Sequence, residues 1–382
     1  MMMQNEEHDI IVIGGGLSGF SALDNLLSKN KKYNIRLIEA SERIGGRLRT
    51  IDGLDFGASW VWPNKDKLMV KLMKDLKIKL RTPSDRERIL KSKKAATQSQ
   101  VGVRGGTEQI VTKLAKKWAK RIKLTLNTSA HMIKYQNEKV YVYVQKKGGL
   151  KLNGNESYEN LSFYTAKHVI VAVPPQMILK HINFFPPLPP DTAKAMEDTP
   201  TWMATASKVY YEFAEPFWRK EHGSNFFESS SDWALFDASL DIDKRYQICA
   251  FKTGLSPYTF TSMTSLNELD KEVNAKLGPM TQHYFMNKMT YHWYNDMWVC
   301  ALDSIDNITK EKAQEQLNEY NYKYGIQAMC RIGQYPELRE PLAGKVYFAS
   351  TETEDQRGHM EGALRAGSRV SEQIHESFRR YR

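Results

Sequence analysis

Ile10-Ile-Val-Ile-Gly-Gly-Gly-Leu-Ser-Gly19 is the stretch that decides how this 382-residue chain is read. The apolar run before Gly14 predicts a buried parallel strand, and Phe20-Ser-Ala-Leu-Asp-Asn-Leu-Leu27 predicts a helix immediately after the glycines. Within Gly14-x-Gly16-x-x-Gly19, the first glycine permits the tight strand-to-helix turn. The second lets a pyrophosphate approach the backbone, and the third lets helix and strand pack closely. Phosphates would sit at the helix N-terminus, where unpaired N–H groups and the dipole favour negative charge. Ile35-Arg-Leu-Ile38 supplies a second strand and delivers Glu39, 20 residues after Gly19, where a ribose hydroxyl needs an acceptor.

Working outward, Arg43-Ile-Gly-Gly-Arg47 places a glycine pair between two arginines. The planar guanidinium fork of Arg43 or Arg47 suits phosphate oxygens, so the loop is expected to close on an anionic cofactor. Asp55-Phe-Gly-Ala-Ser59 follows, and Gly57-Ala58-Ser59 allows a flat ring to lie near the backbone. Asn64 is expected to cap a helix with Leu68, Leu72 and Leu76 facing the core, and Thr107 one carrying Ile110, Leu114 and Trp118. Between them, Ser84–Gln100 reads as an exposed basic connection, and a turn region is expected near Lys147–Tyr158. Val140–Val144 alternates as a hairpin strand, and Val169-Ile-Val-Ala-Val-Pro-Pro175 reads as an interior strand stopped by prolines. From Thr199 the chain turns aromatic-rich and strand-like, with a helix near Leu266–Leu277. Lys345–Ser350 and the helix from Met360 then return to the first fold.

The fold class is therefore α/β: a Rossmann-like cofactor domain interleaved in sequence with a second, mixed-sheet substrate domain. The first takes residues 1–78, 98–197 and 298–382, and the second 79–97 and 198–297. With 55 Lys and Arg against 44 Asp and Glu, the net charge is +11. The basic residues are spread over 29–32, 65–79, 86–94 and 113–123, without stacking aromatics between them, so no nucleic-acid partner is expected. Cys249, Cys300 and Cys330 form neither a disulfide framework nor a zinc pattern, which fits a reducing, cytoplasmic location. Neither a signal peptide nor an apolar run of about 18–20 residues is present, so a soluble protein without a membrane partner is expected.

These pieces, in this order, resemble the flavin-containing amine oxidase family of monoamine, polyamine and L-amino-acid oxidases. The resemblance is carried by Ile13–Gly19, Glu39–Arg47, Phe56-Gly-Ala-Ser-Trp60, Arg104-Gly-Gly106, Val171–Pro175 and Lys208 with Glu215-Pro-Phe-Trp218. Trp293, Ser350-Thr-Glu-Thr353 and Gly358-His-Met-Glu-Gly-Ala363 complete it. It implies FAD as cofactor, held at Gly14, Gly16, Gly19, Glu39, Arg43, Gly46, Arg47, Gly57, Ala58, Ser59, Trp60, Ala130, Glu352, Met360 and Ala363, and no metal. By the same resemblance, an amine or amino acid passes a hydride to the flavin, the imine is hydrolysed, and O2 leaves as hydrogen peroxide. Lys208 takes the position of a lysine that holds a water near the flavin, and Trp293 and His359 stand at ring-facing positions.

The departures bear on substrate. The position of the family's flavin-linking cysteine is Leu302, with Cys300 two residues short, so the FAD is expected to be non-covalent. The two cage tyrosines of monoamine oxidases become Asp303 and His359, favouring a charged amine or a zwitterion if either faces the flavin. The loop Glu354–Arg357 is one residue short, and the helical insertion that roofs many relatives is replaced by Ser84–Gln100. That implies an open site or one completed by a protein partner or second copy. Three other readings stand beside amine oxidation. They are a same-fold dehydrogenase or desaturase with another acceptor, a non-catalytic flavoprotein acting through a partner, and an NAD(P) protein, which leaves Ser350–Thr353 unexplained.

Overall fold

The structure is a computed structural model. It describes residues 6–81, 101–136, 138–147, 161–222, 227–229, 233–239, 244–252, 263–300, 311–312, 315, 331–355 and 358–380. Leu302, Asp303, Cys330, all of Ser84–Gln100 and the turn region beyond Lys147 lie outside these residues. The chain forms two compact units, Met1–Trp202 with Ala328–Arg382, and Met203–Gln327.

The first unit is built on β1 (Glu7–Ile13), β2 (Ile35–Ile38), β3 (Ile122–Thr125), β4 (Thr128–Gln136), β5 (Lys139–Lys146), β6 (Ser162–Val171) and β7 (Asn183–Phe185). They run in the order β7-β4-β5-β6-β1-β2-β3. β1 is parallel to β2 and β6, and β2 to β3. The first half of β6 pairs antiparallel with β5, and its second half parallel with Val346–Phe348. Alternate residues of β1 serve two cores, which is why the run is apolar throughout. Ile10 and Val12 pack beneath α1 (Leu17–Lys29), α2 (Lys67–Asp75) and α3 (Gln109–Trp118), whereas Ile11 and Ile13 join Val142, Val169 and Val171 on the other face.

The second unit contributes β8 (Ser207–Phe213), β9 (Phe227–Ser229), β10 (Ala234–Asp237), β11 (Tyr246–Lys252) and β12 (Phe285–His292), an antiparallel sheet ordered β9-β10-β11-β8-β12. Val209, Tyr211 and Phe213 pack with Leu269, Val273 and Leu277 of α4 (Met263–Leu277). Alternation sends Lys208 to the other face, beside its cross-strand neighbours Phe251 and Tyr291. The chain re-enters the first unit to form β13 (Val346–Phe348) and α5 (Met360–Arg380).

α5 lies close against α1. A Cβ at Gly367 would stand 2.5 Å from the Ala22 nitrogen, and Ser21 Oγ donates to the Leu364 carbonyl at 3.0 Å. Two expected helix starts are placed differently. α2 begins after Asp66, which is buried and accepts the Trp62 N–H at 2.8 Å, and its core residues are Met69 and Met73. Leu68 is 37% exposed, because Met69 and Met73, one position on, take the core-facing stripe and leave the leucines on its flank. Thr107 turns its hydroxyl to the Ala58 carbonyl and Asp55, so the cap of α3 falls to Glu108. Ile110, Leu114 and Trp118 are buried as expected. Among the described residues, no helix is long and apolar enough to cross a membrane.

The orphan N–H groups of α2 are met from the far end of the chain. Glu361, fully buried in the first turn of α5, accepts Leu68 N–H at 3.2 Å and Met69 N–H at 2.9 Å. Replacing Glu361 with Ala strands one buried and one part-buried donor and should lower unfolding stability by roughly 1–3 kcal/mol, with E361Q recovering part of the loss. Urea unfolding of the three proteins measures this, and equal midpoints would remove the cap from the account of α2.

Candidate functional site

The carboxyl ends of β1, β2, β6 and β13 meet at one edge of the large sheet, which is where open α/β sheets bind ligands. β1 runs into Gly14, whose φ of +104°, together with the 2.7 Å at which a Cβ would meet the Ala172 oxygen, leaves no room for a side chain. At Gly19 a Cβ would stand 2.1 Å from the Gly14 oxygen, so this glycine seats α1 on the turn. Gly16 differs from both. Its φ of −81° and ψ of −176° suit any residue, and a Cβ there would meet nothing closer than the Gly45 oxygen at 3.9 Å. Gly16 is also the N-cap of α1 and offers no side-chain cap. The protein leaves bare backbone and open donors where a phosphate would lie.

Glu39 stands beside this turn, 9% exposed. One carboxylate oxygen accepts Gly15 N–H at 2.7 Å, and the other accepts Ser41 N–H and Oγ–H, each at 2.8 Å. A carboxylate has about four acceptor positions, so capacity remains for a hydroxyl. Ala130 is buried on β4, two residues after Thr128, whose N–H reaches the Glu39 carbonyl at 3.0 Å. Ser350, at the end of β13, holds a buried hydroxyl that has no hydrogen-bond partner among the described residues. An open glycine, an acceptor with spare capacity and an orphaned hydroxyl at one sheet edge fit a dinucleotide.

The arginine loop folds back on itself. Arg43 donates to the carbonyls of Ile44, Gly46 and Leu48, at 3.2, 2.7 and 3.1 Å. That holds Gly45 and Gly46 in positive φ, with Gly45 N–H on the Gly15 carbonyl at 2.8 Å and Gly46 over Gly16. Arg47 reaches Glu352 through both nitrogens, at 2.6 and 3.1 Å. Glu352 is fully buried, and the same pair also binds both backbone groups of Trp202. Gly57 packs on Arg47, since a Cβ would fall 1.9 Å from its carbonyl oxygen, and Ala58 N–H donates to that oxygen at 3.1 Å. Ser59 closes its own turn onto the Asp55 and Gly57 carbonyls, and Trp60 follows it half-buried.

His359 precedes α5, its carbonyl accepting Thr351 Oγ–H at 2.7 Å and Ala363 N–H at 3.2 Å. Its ring stacks on Trp62 at 4.8 Å and 12°, and meets Trp202 edge-on at 5.8 Å. Gly358 is required here, since a Cβ would strike the Trp202 ring at 2.2 Å. Burial holds the imidazole below its ordinary range, Lys65 adds to this, and Asp66 opposes it. The ring is therefore neutral at neutral pH. Neither Trp62 nor Trp202 was marked by the motifs; only the Trp60-Val-Trp62 repeat hinted at one of them. Met360 and Ala363 are buried in the first turn of α5.

Lys208 and Trp293 belong to the second unit. Lys208 is 3% exposed, with Nζ 5.6 Å from the centre of the Phe251 ring. Trp293 is buried against Tyr291 at 4.9 Å, in a cluster with Ala206 and Phe251. Next to Lys208 on this face, burial pushes the Cys249 thiol up to about 12, which makes it inert.

The sequence matches the family described as flavin containing amine oxidoreductase over residues 89–266, and an NAD(P)-binding Rossmann-like domain over residues 12–76. Amine oxidase (flavin-containing) B of Sus scrofa is 23% identical across 96% of this chain and 86% of its own length. The Rattus norvegicus protein of that name is 30% identical, across 56% of this chain and 38% of its own length. Putrescine oxidase, solved with putrescine, shares the fold with a TM-score of 0.69 at 18% identity, covering 97% of this chain and 99% of that one. Cyclohexylamine oxidase of Brevibacterium oxydans does so with a TM-score of 0.69 at 17% identity, covering 98% and 100%.

The two glycine environments give a paired prediction. G16A should fold with near wild-type stability yet lose at least roughly tenfold in FAD affinity, whereas G19A should be destabilised by roughly 1–3 kcal/mol from overpacking. Flavin fluorescence titration and urea unfolding of the apoprotein separate the two. Unchanged FAD affinity in G16A would place the phosphates elsewhere.

Proposed function

We propose that the chain is a member of the flavin-containing amine oxidase family, as its match over residues 89–266 supports, and that it oxidises a primary or secondary amine to an imine, with O2 reduced to hydrogen peroxide. The observation that carries the reading is the bare backbone at Gly16, set beside Glu39 at the carboxyl edge of the sheet. In this reading α1 receives the pyrophosphate, Glu39 a ribose hydroxyl, and the Arg43 loop keeps Gly45 and Gly46 flat against the turn. FAD, held without a covalent bond, supplies the hydride acceptor.

His359 and Trp62 present stacked aromatic faces. With its imidazole neutral, His359 acts as a wall that orients an uncharged amine rather than as a counter-charge for a zwitterion. In this reading Lys208, by its family position, supplies a buried positive charge for the negative charge that develops on oxygen, and so favours electron transfer to O2. Trp293 fills the aromatic cluster beside it.

One equivalent of peroxide per amine consumed is the expected aerobic stoichiometry; amine consumed without peroxide would assign the electrons to another acceptor. Lys208→Met should leave anaerobic reduction by amine nearly unchanged while slowing reoxidation by O2 about a hundredfold. Stopped-flow absorbance resolves the two half-reactions, and equal reoxidation rates would remove Lys208 from the mechanism.

A further inference from the structure

The chain's positive charge is not spread over its surface. Residues 67–79 and 104–123 hold twelve Lys and Arg against two Asp and Glu, a net +10 of the chain's +11. In sequence these segments are separate, but the fold joins them. Lys113 of α3 donates its ammonium to the Leu76 carbonyl at the end of α2, at 3.0 Å. Each helix carries its lysines on one stripe, at Lys67, Lys71 and Lys74 in α2 and at Lys113, Lys116 and Lys117 in α3, with Lys120 in the turn that follows. The opposite faces bury Met69, Met73, Ile110 and Leu114.

Lys117 pairs with Asp24. Among the described residues, Lys71, Lys74, Lys77, Lys116, Lys120 and Arg121 are exposed with no ion-pair partner. Such a field is self-repulsive and relaxes when a polyanion neutralises it.

We propose that the α2–α3 face is a docking surface for an anionic lipid bilayer. Specific protein interfaces are enriched in aromatic residues and Arg and depleted in Lys, and this face is the reverse, with ten Lys, two Arg and a single aromatic, Trp118, that is buried. The same lack of exposed aromatics removes the stacking platform that single-stranded nucleic acid requires. Dispersed ammonium groups on flexible stems match a plane of mobile anionic headgroups, and Leu68, 37% exposed between Lys67 and Lys71, adds an apolar contact. This reverses the expectation of a protein without a membrane partner: among the described residues no helix is long and apolar enough to cross a bilayer, and the α2–α3 face would bind it at its surface.

The test is co-sedimentation of the FAD-loaded protein with phosphatidylcholine vesicles, with and without phosphatidylserine. Binding is expected only when phosphatidylserine is present, and it should fall steeply with added salt. Each lysine near such a surface contributes roughly fivefold in affinity, so the quadruple variant K71E, K74E, K116E and K120E should lose at least about a hundredfold. The charge-matched control K220E, K244E, K271E and K276E, exposed in the second unit, should bind nearly as the wild type does. Retained flavin absorbance in both variants shows that they fold. Equal losses in the two variants, or no sedimentation with phosphatidylserine vesicles at low salt, would overturn the proposal. So would binding to duplex DNA without vesicle binding.

Discussion

A buried charge pair holds the first unit's functional edge in one geometry. Glu352 has no exposed surface, and Arg47 meets both its oxygens, while the Trp202 N–H and carbonyl complete the set. Through these bonds the glycine loop, the Thr351–Thr353 turn and Trp202, which ends the unit's first segment, become one body. Removing one partner of a buried pair leaves an uncompensated charge and typically costs about 3–5 kcal/mol, more than any surface ion pair here contributes. The glycines depend on this fixity. Gly45 and Gly46 lie flat against Gly15 and Gly16 because Arg43 and Arg47 leave their loop no other path.

The arginines show how far a motif can be read. Their position after Glu39 was legible, because strand, turn and acceptor follow one another at fixed spacing. Their use was not, because a guanidinium fork suits carbonyls and carboxylates as well as phosphates. Only the fold brings Ile44, Gly46 and Leu48 carbonyls to Arg43 and Glu352 to Arg47. Glu361 is a sharper case. It caps a helix that begins 294 residues earlier, and no local rule connects the two. The strands were readable because a buried parallel run must be apolar on both faces, as Ile10–Ile13 is. The start of α2 was misread because Asn64 and Asp66 are both competent caps, and tertiary hydrogen bonds chose between them.

The candidate site divides in the same way. Gly14, Gly16, Gly19 and Glu39 could be found from spacing alone, since each answers a steric or hydrogen-bonding need of a dinucleotide. Trp62 and Trp202 could not, because an aromatic residue in a loop reads as core until its neighbour is known. Their contact with His359 makes it a stacked, buried ring. The lysine stripes were visible in sequence as scattered surface charge, and only the meeting of α2 and α3 made them one surface.

Anaerobic titration of the purified, FAD-containing protein with a panel of amines, followed at the visible flavin band, tests the central claim most directly. Bleaching by one class of amine, and recovery on admitting air, is the predicted result. A band that stays oxidised with every amine would contradict it, leaving a flavoprotein whose aromatic wall serves something other than amine oxidation.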